Sequence, residues 1–282
     1  MNALEIIAQA MVKGEVSEET YDGVKVYARS LANSGETALM MIKEGYERKL
    51  LAAGKGDLFN DLEGEVKDGY KVCGLTHANR LVLNQYFDYT VPQAFGTQVA
   101  TIGLGDRLGL ASPGHIKTVL NRDIKPILAQ QSIRELDLTG RNYKEVVDAA
   151  CFAVFQEGYK GGFGADGDHL KVESDIEMSL DLVFTMLTLD CSEKIDNSID
   201  GLDEPAIEQK YMALDEQKRA YYEQKYLDQS FKVLDSNVHF NKVSLMENVL
   251  IYSEAVDFMV YIYNKYIQTA VRKIDFEISI DE

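Results

Sequence analysis

From about residue 80 the chain alternates short apolar runs with amphipathic helices that carry explicit start signals, and few folds tolerate that rhythm. Gln98-Val-Ala-Thr-Ile-Gly103 reads as a strand. A glycine-rich turn follows, then a helix from Ser112-Pro113, with serine as N-cap and proline in the first helical position. Pro126 to Gln130 is the next strand. Asn142-Tyr-Lys-Glu145 is an asparagine-led capping box. It opens a helix with Val146, Val147, Ala150, Cys151, Val154 and Phe155 on one face, ended by Gly158. A further box at Ser174-Asp-Ile-Glu177, a strand from Phe184 to Leu189 and a last strand from Lys273 to Ile280 continue the pattern. Such alternation implies a mostly parallel sheet with right-handed crossovers. An eight-stranded barrel is the leading architecture, yet the chain supplies too few strands to close one. The expected class is therefore α/β, an incomplete (β/α) barrel-like parallel sheet. Its last strand is left with an uncovered apolar edge, so the chain reads as cut short.

The flanking parts show other patterns. Leu4, Ile7, Met11, Val24, Tyr27 and Leu31 recur at helical spacing, so residues 1–75 are expected to form a helical N-terminal segment, with 76–282 as the partial barrel. Residues from about 192 to 240 are acidic and polar and read as an excursion, with one long helix from Glu204-Pro205 through Tyr226. Ser244-Leu-Met-Glu247 is expected to cap another helix that buries Leu245, Val249, Tyr252, Val256, Met259 and Tyr263.

Composition narrows the class of partner. The 282 residues are 46% hydrophobic and 27% charged, enough for a sizeable core. Asp and Glu number 46 against 29 Lys and Arg, a net charge of −17 that repels phosphate backbones and anionic lipid heads. Nucleic acid and membrane surfaces are thus disfavoured, while a small anionic ligand in a local cationic pocket is not. The three cysteines, Cys73, Cys151 and Cys191, are far apart and form no CxxC pair, which argues against a disulfide framework and a cysteine zinc site. The start lacks a basic-then-apolar signal pattern, and no apolar run approaches the ~20 residues of a membrane span. A cytoplasmic location is expected.

Two segments carry candidate chemistry. Gly161 to Lys171 places Asp166, Asp168 and His169 on a glycine-loosened turn between a strand and a helix, the end of the strands where parallel α/β folds bind ligands. Asp168 could act as general base and His169 as a metal ligand; alternatively the two aspartates form Asx turns and the histidine faces solvent. In Gly103 to His115, glycines allow close approach, the helix start presents free N–H groups, and Arg107 could grip a carboxylate or phosphate. The competing view is a tight turn with Asp106 and Arg107 paired on the surface. On the last strand Phe276, Ile278 and Ile280 alternate with Glu277, Ser279 and Asp281, so Glu277 lies either on a barrel interior or on a solvated face. His77 and His239 read as structural. Gln130 and Gln131 could line a pocket.

Together, GLGDRLGLASPGH at 103–115, GFGADGDHLK at 162–171 and DFEISIDE at 275–282 resemble the tagaturonate/fructuronate epimerase family. TGRNYKEVVDAA at 139–150 and Thr188-Leu-Asp190 fit the same pattern, whereas 192–240 matches nothing in it. The resemblance implies a metal-dependent, barrel-like isomerase that interconverts ketohexuronates by inverting a hydroxyl-bearing carbon. It implies Asp168 as proton acceptor, His169 as ligand to a divalent cation (zinc, manganese, cobalt or nickel), and Glu277 as opposing acid with Glu282 second. Arg107, Ser112 and His115 would line the carboxylate and hydroxyl end of a sugar acid. Family members are longer and supply further histidine ligands downstream. A truncated form is therefore expected, with a metal-dependent sugar-acid or sugar-phosphate aldolase and an inactive fragment as alternatives. The exposed last strand leads one to expect self-association.

Overall fold

The computed structural model describes residues 2–17 and 19–280. Two compact units emerge: one runs to Thr188 and includes Arg272–Phe276, the other comprises Leu189–Val271 and continues from Glu277.

The first unit opens with α1 (Ala3–Lys13), started by an Asn2–Glu5 capping box and stopped by Gly14 in the left-handed conformation. The helical expectation for 1–75 is met by this element and by one short later helix, and the rest is strand and turn. After it the chain forms an antiparallel sheet of β1 (Thr20–Tyr21), β2 (Val24–Val26), β3 (Ala32–Ser34), β4 (Thr37–Glu44), β5 (Glu47–Gly54), β6 (Glu65–Lys67) and β7 (Tyr70–Cys73), with the short helix α2 (Asp57–Asp61) between β5 and β6. The order is β1-β2-β4-β5-β7-β6, with β3 also on β4. Its centre is the β4–β5 hairpin, closed by Gly45-Tyr46 with Gly45 at φ 56°. Met40, Ile42, Leu51 and Ala53 face α1 through Ile7, Ala8 and Met11. Leu39, Met41, Leu50 and Ala52 face the opposite way, onto Leu58, Leu83, Phe152 and Phe155. A sheet buried on both sides needs no polar alternation, so these strands lack the period of two that would have betrayed them.

The unit continues with α3 (His77–Tyr86), β8 (Thr101–Gly103), α4 (Ser112–Val119), β9 (Lys125–Ser132), α5 (Ile133–Thr139), α6 (Tyr143–Glu157), β10 (Gly164–Leu170), α7 (Glu173–Asp181) and β11 (Met186–Asp190). The Asn142 capping box and the Gly158 stop of α6 are as expected. The helix is buried nearly all round, however, because it packs on the hairpin sheet through Phe152 and Phe155 and on β9 from another side. Two caps differ. Ser112 is the first residue of α4 and makes no side-chain cap. The Ser174 box is absent, since α7 already starts at Glu173.

In the second unit, α8 (Glu204–Met212) and α9 (Glu216–Tyr226) replace the single long helix expected, because Asp215 caps a fresh start through the Lys218 N–H. The hairpin β12 (Ser230–Val233) and β13 (Ser236–His239) comes next, then α10 (Lys242–Ile262); the strand β14 (Asp275–Ser279) begins in the first unit, with Asp275 and Phe276, and continues into the second from Glu277. Asn241, not Ser244, caps α10. The apolar cluster with Ile207 and Tyr211 takes Leu245, Met246 and Val249. Beyond it the face opens: Tyr252, Val256 and Tyr263, expected to be buried, are 42%, 41% and 46% exposed.

The second sheet has the order β14-β11-β10-β9-β8. β8 and β10 run parallel to β9, with Asp166 level with Gln130 and Asp168 level with Ser132. This is the incomplete barrel-like parallel sheet that the alternation implies, with β14 at its edge. One face meets helices: Gln131 bonds Thr139 of α5, and a Cβ on Gly167 would meet Ser179 of α7. The chain at 93–96 straps the opening ends of the strands. The Gln93 N–H donates to the Phe163 carbonyl (2.8 Å), the Thr185 hydroxyl to the Gln93 carbonyl (3.0 Å), and the Phe95 and Gly96 N–H groups to the Asp275 carboxylate (2.7 and 2.8 Å). The closing ends, where the βα loops begin, are the ones left for a site.

Candidate functional site

Asp166, Asp168 and His169, expected on a turn, lie within strand β10. Glycine and aspartate are poor strand formers, but β10 is a central strand, and pairing on both sides overrides local preference. Gly167 is required for packing: a Cβ there would lie 2.9 Å from Leu170 Cδ1 and 3.0 Å from Ser179 Oγ. Asp166 is fully buried. The Thr188 hydroxyl lies 3.1 Å from each of its oxygens, and the Gln130 Nε2 donates from 3.2 Å. Those donors offset part of the cost of burying a carboxylate. Asp168 comes two residues on, half-buried, with its backbone carbonyl accepting the Tyr143 hydroxyl at 3.2 Å. Burial, reinforced by the charges of Asp168, Asp166 and Asp175, pushes the Tyr143 phenol far up, so it remains a donor. His169 sits at φ 53°, half-buried. The left-handed conformation costs about 1–2 kcal/mol outside glycine, and it breaks the strand alternation immediately after Asp168.

The β8–α4 loop is organised by Asp106, which is 6% exposed. Its Oδ2 accepts the Ser112 N–H (2.7 Å) and hydroxyl (2.9 Å), and its Oδ1 accepts the Leu110 N–H (2.9 Å). Burial alone would raise its pKa, but these hydrogen bonds outweigh it and hold the carboxyl below its ordinary value. Asp106 is therefore the cap of α4 that Ser112 was expected to be, and the supposed surface pair with Arg107 does not form. Arg107 instead pairs with Glu135 at 3.0 Å and stays half exposed. Ser112 is 1% exposed with its hydroxyl committed to Asp106. His115, on α4, is half-buried, and its Nδ1 is buried without a hydrogen-bond partner among the described residues.

The remaining candidates are dispersed. Glu277 is exposed on β14 in the second unit. Ile278 and Ile280, on the same strand and just beyond it, are 44% and 58% exposed. Asp281 and Glu282 lie outside the described residues. His77 is structural as expected: its Nδ1 lies 2.9 Å from Asp148, whose same oxygen binds Arg80 Nε at 2.7 Å, tying α3 to α6. His239, exposed, bonds Ser230 across the β12–β13 hairpin. Among the described residues, no three His, Cys, Asp or Glu side chains gather as a metal-ligand set, and no helix is long and apolar enough to cross a membrane. The Gln130–Asp166–Thr188 constellation was not foreseen as a unit. The signal for it was present in the alternation that puts Thr188 two residues before Asp190 on a strand neighbouring Asp166.

Comparison with known proteins gives a consistent picture. Residues 27–282 match the family model for tagaturonate epimerase (UxaE). A tagaturonate/fructuronate epimerase of Thermotoga maritima is 32% identical over 264 residues, covering 92% of this chain and 54% of that protein. The glycerol-complexed crystal structure of fructuronate-tagaturonate epimerase from Cohnella laeviribosi is 57% identical with a TM-score of 0.88, covering 99% of this chain and 55% of that one. The native crystal structure of the same enzyme matches with a TM-score of 0.87 over equal shares. The chain thus spans about half the length of its relatives. With the motifs at 103–115 and 162–171 lying within the matched region, the chain belongs to the tagaturonate epimerase family.

Proposed function

We propose that this chain carries part of the machinery of a ketohexuronate epimerase that interconverts D-tagaturonate and D-fructuronate. The observation that supports it most is the family match running through β10, the strand on which Asp166 and Asp168 share one face. Inversion at a hydroxyl-bearing carbon requires a proton withdrawn from one side and returned on the other. Asp168, half-buried at the closing end of a parallel strand, is the acceptor. Glu277 takes the acid's role on the family resemblance. Arg107 keeps guanidinium N–H groups beyond the Nε that binds Glu135, and these suit a substrate carboxylate. His115 takes its place at the hydroxyl end on the family resemblance, while Ser112 serves the loop that presents Arg107 and His115.

A divalent cation supplies Lewis-acid stabilisation of developing negative charge in chemistry of this kind. With Asp168 as the proton acceptor, His169 is the one ligand the family resemblance assigns, short of the roughly three protein ligands such a site uses. The described residues bring no set of three together. The donor set of this chain alone does not fit the metal.

The test is proton NMR of the purified chain with D-fructuronate in deuterated water, with and without Mn²⁺ or Zn²⁺. Tagaturonate signals are expected to grow, and Asp168→Asn to slow that growth about 10²–10⁴-fold, as removal of a general base does. A folded sample that converts nothing under either condition refutes the assignment of activity to this chain.

A further inference from the structure

A polar chain crosses four strands of the second sheet. Thr188 of β11 and Gln130 of β9 both donate to the buried Asp166 of β10. The far end of Gln130 lies over Gly103 of β8, where a Cβ would come within 2.4 Å of Gln130 Oε1. A carboxylate only accepts hydrogen bonds. Asp166 therefore turns the Nε2 of the carboxamide toward itself and the Oε1 away, fixing which end of the amide is which. Gly103 leaves the room that this orientation needs, since any side chain there would collide with Oε1. Asp166 and Thr188 are 0% and 4% exposed, whereas Gln130 is only half-buried, so the carboxamide is the reachable end of the chain. Its backbone is level with Asp166 on the strand that also carries Asp168.

We propose that Gln130 is a specificity-determining residue whose oriented Oε1 accepts the hydrogen of one hydroxyl of a polyhydroxylated sugar acid, with Asp166 and Thr188 as positioning residues. This rests on the substrate class proposed above. A fixed acceptor favours a hydroxyl over a carbonyl or a hydrogen at the same carbon, because only the hydroxyl can donate. A site built around such a bond penalises analogues that lack it.

The experiment is calorimetric titration of the full chain with D-tagaturonate, for the wild type, Gln130→Ala, Gly103→Ala and the double variant. Each single variant is expected to weaken binding about 10-fold, in line with the loss of one hydrogen bond. The thermal midpoint of Gly103→Ala should stay close to wild type, because the atom its methyl displaces is the far end of a flexible side chain. The double variant should bind no worse than Gln130→Ala, since the alanine at 103 acts only through the carboxamide. A purely structural role for Gly103 would instead give additive losses, and that result overturns the proposal. Unchanged binding by Gln130→Ala overturns it while leaving the substrate class intact. No binding of tagaturonate by the folded wild type overturns both.

Discussion

Asp106 offers the sharpest test of how the β8–α4 loop is held. Asp106→Ala removes the acceptor for the Ser112 N–H, the Ser112 hydroxyl and the Leu110 N–H at once. Loss of a helix N-cap costs about 1 kcal/mol. Ser112 is 1% exposed, so water cannot replace the lost partner, and each buried donor left unpaired adds about 1–3 kcal/mol. Allowing for non-additivity within one cluster, the variant should lose about 3–5 kcal/mol. Ser112→Ala deletes only the hydroxyl bond and should lose about 1 kcal/mol. The assay is urea unfolding monitored by circular dichroism at neutral pH. The acid limb gives an independent check. The folded pKa of Asp106 lies below its ordinary 3.8. Its stabilising contribution is therefore complete above that value and is lost as pH falls through the folded one. The alanine variant should accordingly lose less stability than wild type below pH 3.8. If Asp106→Ala cost under about 1 kcal/mol, or no more than Ser112→Ala, the capping argument would be wrong.

Burial and backbone geometry set two further outcomes. Gly158→Ala should be destabilising by more than about 2 kcal/mol, read as a fall in thermal midpoint, because it combines left-handed strain at φ 57° with a Cβ placed 2.3 Å from the Arg29 carbonyl oxygen; a shift within error would refute the assigned helix stop. All three cysteines are buried and free, and burial pushes Cys73 and Cys191 up to about 11 and Cys151 to about 12. Their thiols should resist a disulfide reagent at pH 8 until denaturant is added, and rapid labelling of the native protein would contradict their placement.

The part of the fold that could be read from the residues was the part that advertises its own boundaries. Asn142, Glu145 and Gly158 delimit α6 with local chemistry, and the runs at Pro126 and Phe184 are short, apolar and flanked by turns. The hairpin sheet escaped because Leu39-Met-Met-Ile42 and Leu50-Leu-Ala-Ala53 feed two cores at once and so show no alternation. The break between α8 and α9 turned on a single aspartate, at a position that a helical pattern also tolerates. At the candidate site, Asp168 and His169 stood out by residue type, but their strand did not, since Gly164-Ala-Asp-Gly-Asp has little intrinsic tendency to extend and depends on its neighbours. The true partner of Asp106 was six residues along the chain, within reach of inspection. Serine before proline gave a stronger but misleading signal.

The carboxylate of Asp275 joins Phe95 across 180 positions of sequence. Closing so long a loop is entropically slow to be rewarded, whereas the hairpins of residues 20–73 close over a few residues each. The contact between the strap and the edge strand is thus expected to form late in refolding, after the hairpins. Asp275→Ala should then leave the refolding rate nearly unchanged while accelerating unfolding, the signature of an interaction formed after the barrier. A chain assembled in that order keeps the opening ends of its parallel strands unlatched until the hairpins have condensed.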